Sequence, residues 1–377
     1  MSRLVLQVIG LHLALLASTG SGWALILHND ANPVPPDSRP PDAWVARWGP
    51  NASAVVIGPD RVVTTRHQGG DVGTTVVVDG VSYLVAQTYN HTLADLRVAR
   101  LTTLSGGAPN FTSWANVYLT NDEMNQTAVI GGYGKTNAAP LTKNGTVYGY
   151  QWSAPDLNAQ LRWGQNNVLV TSTINGGYRS EVIVADFDGA GEGGAIAYEC
   201  AAAWYDSGGG WFIRDGGGYF RLAGLTRGAE AHYQPGHEGD EAYRLQQAWF
   251  RNANNPGTLD PDSLDGVRVS VYANWIRNMA DGPIPGDANG DDVVDYVDLG
   301  ILASNYRLSN KNWSGGDFTN DGVVDYLDLG QLASHYRETG LYAPEGGELP
   351  EPAALLTLLA GAGLALRRRR RARTPTL

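Results

Sequence analysis

Short runs of β-branched and apolar residues, each bounded by glycine, proline, asparagine or aspartate, recur along the first three quarters of the chain. Runs this short favour strands over helices, and many in succession predict an all-β barrel or sandwich. Asp79-Gly80 between two of them is typical of a tight hairpin turn. A helical pattern of apolar residues stands out only at 271–280. The strand-like runs are 54–58, 61–65, 74–78, 81–85, 127–130, 145–150, 167–173, 181–185, 210–213 and 219–225.

Residues 1–24 have the three parts of a secretory signal peptide: Arg3, an apolar stretch over 4–17, and the segment Gly22-Trp23-Ala24, whose small residues suit a cleavage site. The alternative is a buried N-terminal helix. Export would leave a chain that begins near Leu25. Since Cys200 is the only cysteine, no disulfide can form within the chain, although an exported protein would normally be permitted them.

Residues 350–377 combine a Pro-Glu-Pro triplet, an apolar run over 353–366 and a cluster of arginines. The apolar run is barely long enough to span a bilayer, and the arginines favour the cytoplasmic side. This tail resembles the PEP-CTERM sorting signal of Gram-negative bacteria. The resemblance implies transient membrane association, cleavage by an exosortase-type enzyme, and a final location in the cell envelope or outside the cell. The alternative is a plain tail anchor.

The net charge is −11 even though the tail contributes six arginines. So acidic a body repels the phosphates of DNA and RNA. We therefore expect no nucleic-acid partner.

Ser207 stands between Asp206 and three glycines, 208–210. Glycine accepts the positive φ angles of a sharp turn, and the lack of side chains leaves the hydroxyl open to a substrate carbonyl. The same residues also suit an ordinary surface turn. His67 ends one strand-like run and Asp95 begins another, and these supply the base and the orienting acid that a serine nucleophile needs. Sequence alone does not show that the three residues meet.

Five segments, in order, resemble the chymotrypsin-like (trypsin-fold) serine protease family: 62–67, 95–101, 206–209, 222–228 and 268–276. The resemblance implies a mostly β fold with a double six-stranded β-barrel over 25–280. It also implies hydrolysis of a protein or peptide substrate through an acyl-enzyme. The implied roles are general base for His67, orienting acid for Asp95, nucleophile for Ser207, oxyanion-hole backbone for Tyr205 and Ser207, and specificity pocket for Ala201, Thr226 and Gly228.

Several positions depart from the family pattern. Gln68 replaces a cysteine beside the histidine, and the family's disulfides are absent. Tyr205 replaces a glycine that donates one oxyanion-hole hydrogen bond, and loss of such a donor costs about a hundredfold or more in turnover. Because Ala201 stands where trypsin-type enzymes have aspartate, we expect cleavage after apolar or small residues rather than Lys or Arg. These departures leave open a binding or scaffold protein that has the fold without turnover.

The resemblance also gives Asp206 a role, namely pairing with a freed N-terminal amine and so shaping the oxyanion hole. Cleavage that exposes Leu25 or Ile26 would supply this amine directly. The acidic, glycine-rich segment 186–192 upstream of Ser207 is consistent with a calcium site or with a solvated loop.

The segment 287–298 is repeated at 317–328, and each copy runs into the same helical pattern. A calcium loop needs side-chain oxygens at positions 1, 3, 5, 9 and 12 and a carbonyl oxygen at position 7. The first copy supplies Asp287, Asn289, Asp291, the Val293 carbonyl, Asp295 and Asp298. The second copy supplies Asp317, Thr319, Asp321, the Val323 carbonyl, Asp325 and Asp328.

The pair of loops resembles type I dockerin modules. The resemblance implies a small α-helical, paired EF-hand-like module over 287–340 that binds two Ca²⁺, and a cohesin-like partner. Linkers at 281–286 and 341–349 would flank it. Asp292 replaces the glycine of the sharp turn, and Thr319 makes the second site the weaker one. A calcium-stapled spacer with no partner is the alternative.

Overall fold

The computed structural model describes residues 25–28, 34–153, 160–281, 284–289, 291, 293–319 and 321–338. The predicted signal peptide, the second linker and the sorting tail lie outside these residues. Within the described part of the chain, no helix is long and apolar enough to span a membrane.

After a two-residue strand, β1 (Ile26–Leu27), six strands close into a barrel. They are β2 (Val45–Trp48), β3 (Ala52–Gly58), β4 (Arg61–Thr64), β5 (Thr75–Val78), β6 (Val81–Asn90) and β7 (Arg97–Thr103). Their order around the barrel is β2-β3-β4-β7-β6-β5. Asp79 and Gly80, between β5 and β6, both have positive φ (47° and 76°), as a type I′ hairpin turn requires. The predicted hairpin is confirmed.

Thirteen further strands follow among the residues that the structure describes. They are β8 (Thr127–Gly132), β9 (Asn137–Lys143), β10 (Thr146–Trp152), β11 (Arg162–Asn167), β12 (Val170–Gly176), β13 (Tyr178–Asp186), β14 (Cys200–Ala201), β15 (Gly210–Arg214), β16 (Phe220–Ala229), β17 (His232–Tyr233), β18 (Arg244–Leu245), β19 (Gln247–Trp249) and β20 (Ser263–Arg268). Seven of them form one antiparallel sheet in the order β11-β8-β15-β16-β20-β13-β12. Smaller sheets pair β19-β10-β9, β1-β14 and β17-β18. Of the predicted double barrel, one closed barrel is confirmed. In the described residues, the second half is a sheet whose edge strands do not pair with each other.

Strand β3 joins the two halves, because all seven of its residues are buried. Ala54 and Val56 point into the barrel, where they pack with residues of the other barrel strands. Val55 and Ile57 point the other way, into a core shared with the seven-stranded sheet. Alternate side chains of a strand point to opposite faces, so a strand between two packed layers is buried on both faces. The interface of the two halves is therefore an apolar core on which the cleft described below is built.

Helix α1 (Val269–Asp281) begins directly after β20. It buries Val269, Ala273 and Ile276 in the shared core, at the spacing of one helical face. The helix predicted at 271–280 is confirmed. Five 3₁₀ turns complete the connections: Pro36–Ser38, Asp42–Trp44, Arg66–Gln68, Glu241–Tyr243 and Trp313–Gly315.

The C-terminal repeat has its own small core. Its helices are α2 (Tyr296–Asn305) and α3 (Tyr326–Ser334). Each begins with a capping box, Asp295 with Asp298 in α2 and Asp325 with Asp328 in α3. The duplicated sequence thus folds into duplicated loop-and-helix units.

Candidate active site

His67 and Asp95 meet at the end of the barrel because their strands are paired. His67 lies in the 3₁₀ turn after β4, and Asp95 lies just before β7. The β4–β7 register places Thr64 opposite Arg97. Asp95 Oδ1 accepts the His67 backbone N–H at 2.8 Å, and its Oδ2 lies 2.5 Å from His67 Nδ1. With Asp95 ionised, Nδ1 donates the proton, so the neutral ring keeps Nε2 as its acceptor.

Asp95 is only 2% exposed, and its own backbone N–H donates to Ser180 Oγ at 2.9 Å. Ser180 belongs to β13 of the seven-stranded sheet. Asp95 is therefore held by contacts to both halves of the fold, through its carboxylate to His67 and through its backbone N–H to Ser180. Nothing in the sequence around Ser180 pointed to this contact.

The loop that runs from β14 to β15 holds Ser207 at a sharp turn. Gly208 has φ +82°, and an added Cβ would collide with the Ser53 carbonyl and the Thr64 hydroxyl. Only glycine fits there. The loop is tied to β16, since Gly208 N–H donates to Thr226 O and Thr226 N–H donates to Gly209 O, both at 2.8 Å. The glycine-rich stretch is thus a buried, hydrogen-bonded turn rather than a free surface loop.

Ser53 on β3 organises this loop, although the sequence analysis did not identify it. Its N–H donates to Ser207 O at 2.9 Å, and its hydroxyl donates to Tyr205 O at 3.1 Å. The same hydroxyl accepts the Tyr133 N–H at 2.9 Å, and the Ser53 carbonyl accepts from Thr64 Oγ1 at 2.7 Å. The one available signal was a polar residue within an otherwise apolar strand.

A cleft of about 460 Å³ brings the predicted residues together. Its lining includes His67, Tyr205, Ser207, Thr226 and Gly228. The pocket residue predicted at 201 is not part of this lining. Ala201 is buried and pairs with Ile26, while Ala202 and Ala203 face the cleft instead.

His67 and Ser207 are not hydrogen-bonded to each other in the part of the chain that the structure describes. Ser207 Oγ donates to Arg227 O at 3.5 Å. The side-chain amide of Gln68 lies against His67 Nε2 and occupies its acceptor position. A serine proton transfer therefore requires both side chains to leave these contacts.

Tyr205 has φ +79°, a left-handed conformation that glycine takes freely and other residues rarely take. Such a conformation costs about 1–2 kcal/mol per residue. The chain thus keeps a glycine-like backbone conformation at this position despite the tyrosine side chain.

Asp206, the residue before Ser207, is completely buried. Its carboxylate accepts the N–H groups of Gly134 at 2.8 Å and Ala203 at 2.9 Å, and a backbone hydrogen bond from Leu25 also stabilises the ionised form. Burial outweighs these hydrogen bonds and the charge of Arg162, and raises the pKa of Asp206 to about 7. Leu25 therefore contacts Asp206, the residue that is expected from the sequence to pair with a freed N-terminal amine.

Three carboxylates upstream of Ser207 lie within 4.8 Å of one another: Asp186, Asp188 and Glu199. Burial raises the pKa of all three groups, that of Glu199 to about 8. The predicted acidic loop is therefore partly buried. Oxygen donors of this kind suit calcium, but an acidic cluster alone does not identify a ligand.

In the C-terminal repeat, Asp298 and Asp328 are both completely buried. Asp298 accepts three backbone N–H groups, from Ala288, Asn289 and Asp295, and Asp328 accepts the equivalent three from its own loop. Burial raises the pKa of Asp298 to about 6. Each loop thus wraps around the aspartate at its twelfth position. The side-chain and carbonyl oxygens of the loops are of the type that calcium takes as ligands.

No protein-family model matches the chain, and no curated protein matches it. Two similar solved structures are neuropsin, a serine protease expressed in the limbic system of mouse brain, and the inactive form of the Rv3671c protease. Neuropsin is 16% identical over 64% of this chain and 95% of its own, with a TM-score of 0.38. The Rv3671c protease is 14% identical over 50% of this chain and 78% of its own, with a TM-score of 0.33. Neither is similar enough to decide what this chain does.

Proposed function

We propose that this chain is an exported serine endopeptidase of the chymotrypsin-like type. One observation carries the proposal: the Asp95 carboxylate contacts both the backbone N–H and Nδ1 of His67, at the edge of a cleft that Ser207 also lines. His232 also contacts a buried carboxylate, that of Asp262, but among the described histidines only His67 combines such a contact with a place beside a serine in this cleft.

In the proposed reaction, His67 Nε2 removes the Ser207 proton while Oγ attacks the carbonyl of the scissile bond. Asp95 stabilises the imidazolium that forms. The N–H groups of Tyr205 and Ser207 stabilise the oxyanion, and the imidazolium then protonates the leaving amine. Water activated by His67 hydrolyses the acyl-enzyme.

A binding or scaffold protein without turnover is the second candidate. It is favoured by the Gln68 amide on His67 Nε2, by the contact of Ser207 with Arg227 O, and by the strained Tyr205. The two candidates differ in whether Ser207 is nucleophilic.

A serine-reactive phosphonate probe separates them. We expect labelling of Ser207, located by peptide mass spectrometry, and its loss in Ser207→Ala. His67→Ala should slow labelling at least a hundredfold, since the base is removed. Ser105→Ala, at an exposed hydroxyl, is the matched control and should label normally. Native protein that stays unlabelled would support the scaffold.

For the C-terminal repeat we propose two structural calcium sites, held by the twelve residues named in the sequence analysis. Support comes from the buried carboxylates Asp298 and Asp328, each enclosed by its loop. The ion would neutralise the charge gathered in each loop.

Calcium titration of the full chain, followed by calorimetry and native mass spectrometry, tests this. We expect two ions per chain, and one ion after either Asp298→Asn or Asp328→Asn. Asp240→Asn, on an exposed turn, is the control. Two ions retained in both loop variants would contradict the assignment, and a third ion in the native chain would point to the Asp186 cluster.

We propose a cohesin-like partner for this module, with the plain spacer as alternative. Both helices expose apolar residues at the same place, Tyr296 and Val297 in one and Tyr326 and Leu327 in the other. Repeating the titration with a cohesin module present distinguishes the two, since docking would tighten calcium binding and a spacer would not.

Export, exosortase cleavage and a Gram-negative envelope or extracellular location are proposed from the two ends of the sequence. N-terminal sequencing and the intact mass of protein recovered from the host test both ends. A mature chain beginning at Leu25 would also supply the amine that we propose as the partner of Asp206.

A further inference from the structure

Arg244 lies on the wall of the cleft between two tryptophans. Its guanidinium carbon is 5.9 Å from the ring centroids of both Trp152 and Trp204. The two indoles are themselves in edge-to-face contact, with centroids 5.9 Å apart. All three residues line the same cleft as Ser207. Contact with two aromatic rings restricts the conformations of the arginine side chain without neutralising its positive charge.

This wall has N–H donors that the protein does not satisfy. Arg244 Nε and Trp152 Nε1 are both buried, and neither has an acceptor in the described residues. The one carboxylate paired with Arg244 there is Glu241, at 3.4 Å, and Glu241 is 64% exposed. An exposed pair of this kind is worth little. Arg244 is thus available to another acceptor.

The other charged pair in the cleft is self-contained. Arg227 and Asp265 form a two-pronged contact, Nε to Oδ1 at 2.5 Å and Nη2 to Oδ2 at 3.1 Å. Their charges cancel, and Ala202 and Ala203 add none. With neutral His67, the described lining of the cleft carries one excess positive charge, that of Arg244.

We propose that the cleft selects substrates with an acidic side chain, Glu or Asp, immediately before the cleaved bond, and that Arg244 determines this specificity. This inference rests on the proposed endopeptidase function. A substrate carboxylate would accept hydrogen bonds from Arg244 and Trp152, and its negative charge would offset the charge of Arg244. Lysine or arginine would be repelled. The expectation of an apolar or small residue, drawn from Ala201, is thereby replaced by one drawn from the residues that face the cleft.

Four fluorogenic peptides that differ only at this residue (Glu, Gln, Leu, Lys) test the proposal. We expect kcat/KM for Glu to exceed that for Gln by about ten- to a hundredfold, the range expected when a hydrogen bond to a charged group is lost. Arg244→Gln should lower kcat/KM for Glu by the same factor and change that for Leu less than threefold. Arg221→Gln is the control, because Arg221 is equally buried, pairs with Asp215, and lies outside this cleft. Equal cleavage of Glu and Gln, or an unchanged ratio in Arg244→Gln, overturns the proposal.

Binding to the Ser207→Ala chain keeps the test independent of turnover. Tryptophan fluorescence is used to measure the Kd of the Glu and Gln peptides. If no peptide is cleaved and the phosphonate probe fails to label, the proposed enzyme is wrong. Tighter binding of the Glu peptide, lost in Arg244→Gln, would still support the acidic pocket, whereas equal Kd values would overturn it.

Discussion

Asp95→Asn is expected to lower kcat/KM for a peptide substrate by about 10⁴, with the fold unchanged. The reason lies in the two contacts that Asp95 makes with His67. An asparagine amide can turn its N–H₂ toward Nδ1, which stabilises the tautomer that carries the proton on Nε2. That tautomer cannot accept the Ser207 proton. The substituted side chain also cannot stabilise the imidazolium.

Activity is measured with the peptide that native protein cleaves best, and stability is measured by urea unfolding. Asp60→Asn is the matched control, because Asp60 is also a partly buried aspartate of the barrel that pairs with Arg61 and Arg100, away from the cleft. It should change kcat/KM less than threefold. An Asp95→Asn chain that keeps more than a tenth of native activity would show that His67 acts without this carboxylate or does not act as the base.

Local patterns predicted the parts of the fold that local chemistry determines. Asp79-Gly80 predicted its hairpin because two successive positive φ values leave few residue types acceptable. The helix near 271–280 was predicted because its apolar spacing reports one buried face. The strand order of the second sheet, and the fact that its edge strands do not pair with each other in the described residues, were not predictable in this way, because strand order depends on pairings between residues far apart in the chain.

In the candidate site, too, some contacts were predictable from local patterns and others depend on residues far apart in the chain. His67 and Asp95 stand at the ends of strands that pair, so their contact follows from the register of β4 and β7. Ser53 and Arg244 were missed because their roles come from contacts far along the chain, with Tyr205 for Ser53 and with Trp152 and Trp204 for Arg244. Ala201 was assigned to the pocket by resemblance, but it pairs with Ile26 and does not line the cleft.

The second large effect concerns the Leu25 amine. A chain that begins at Leu25 is expected to be more stable at pH 7 than one with residues before Leu25, and to have a kcat/KM at least tenfold higher. In the longer chain, the pKa of Asp206 is about 7, above its ordinary value near 4, because burial disfavours the charge. The folded state then binds the proton more tightly than the unfolded state. The contribution of Asp206 to the free energy of unfolding is therefore greatest below about pH 4 and falls by about 1.4 kcal/mol per pH unit as pH rises toward 7.

A free ammonium at Leu25 reverses this dependence, because Leu25 already reaches the carboxylate through its backbone. The opposite charge favours ionised Asp206, so the loss between pH 4 and 7 should disappear. The gain should persist until the amine itself is deprotonated, above its ordinary pKa near 8. Glu199, whose pKa is also raised, titrates identically in both chains and cancels from the difference.

Urea unfolding of the two chains from pH 4 to 9, with kcat/KM measured alongside, gives the result. The chain beginning at Leu25 can be released from a cleavable fusion, and the comparison chain retains Ala24 and several residues before it. Asp206→Asn is the control, since it removes the titrating group and should abolish the difference between the two chains. Equal stability and equal activity at pH 7 would show that Asp206 needs no N-terminal partner. The turn at Ser207 would then be held without the amine, chiefly by the N–H groups of Gly134 and Ala203, which donate to the Asp206 carboxylate, and by that of Ser53, which donates to Ser207 O.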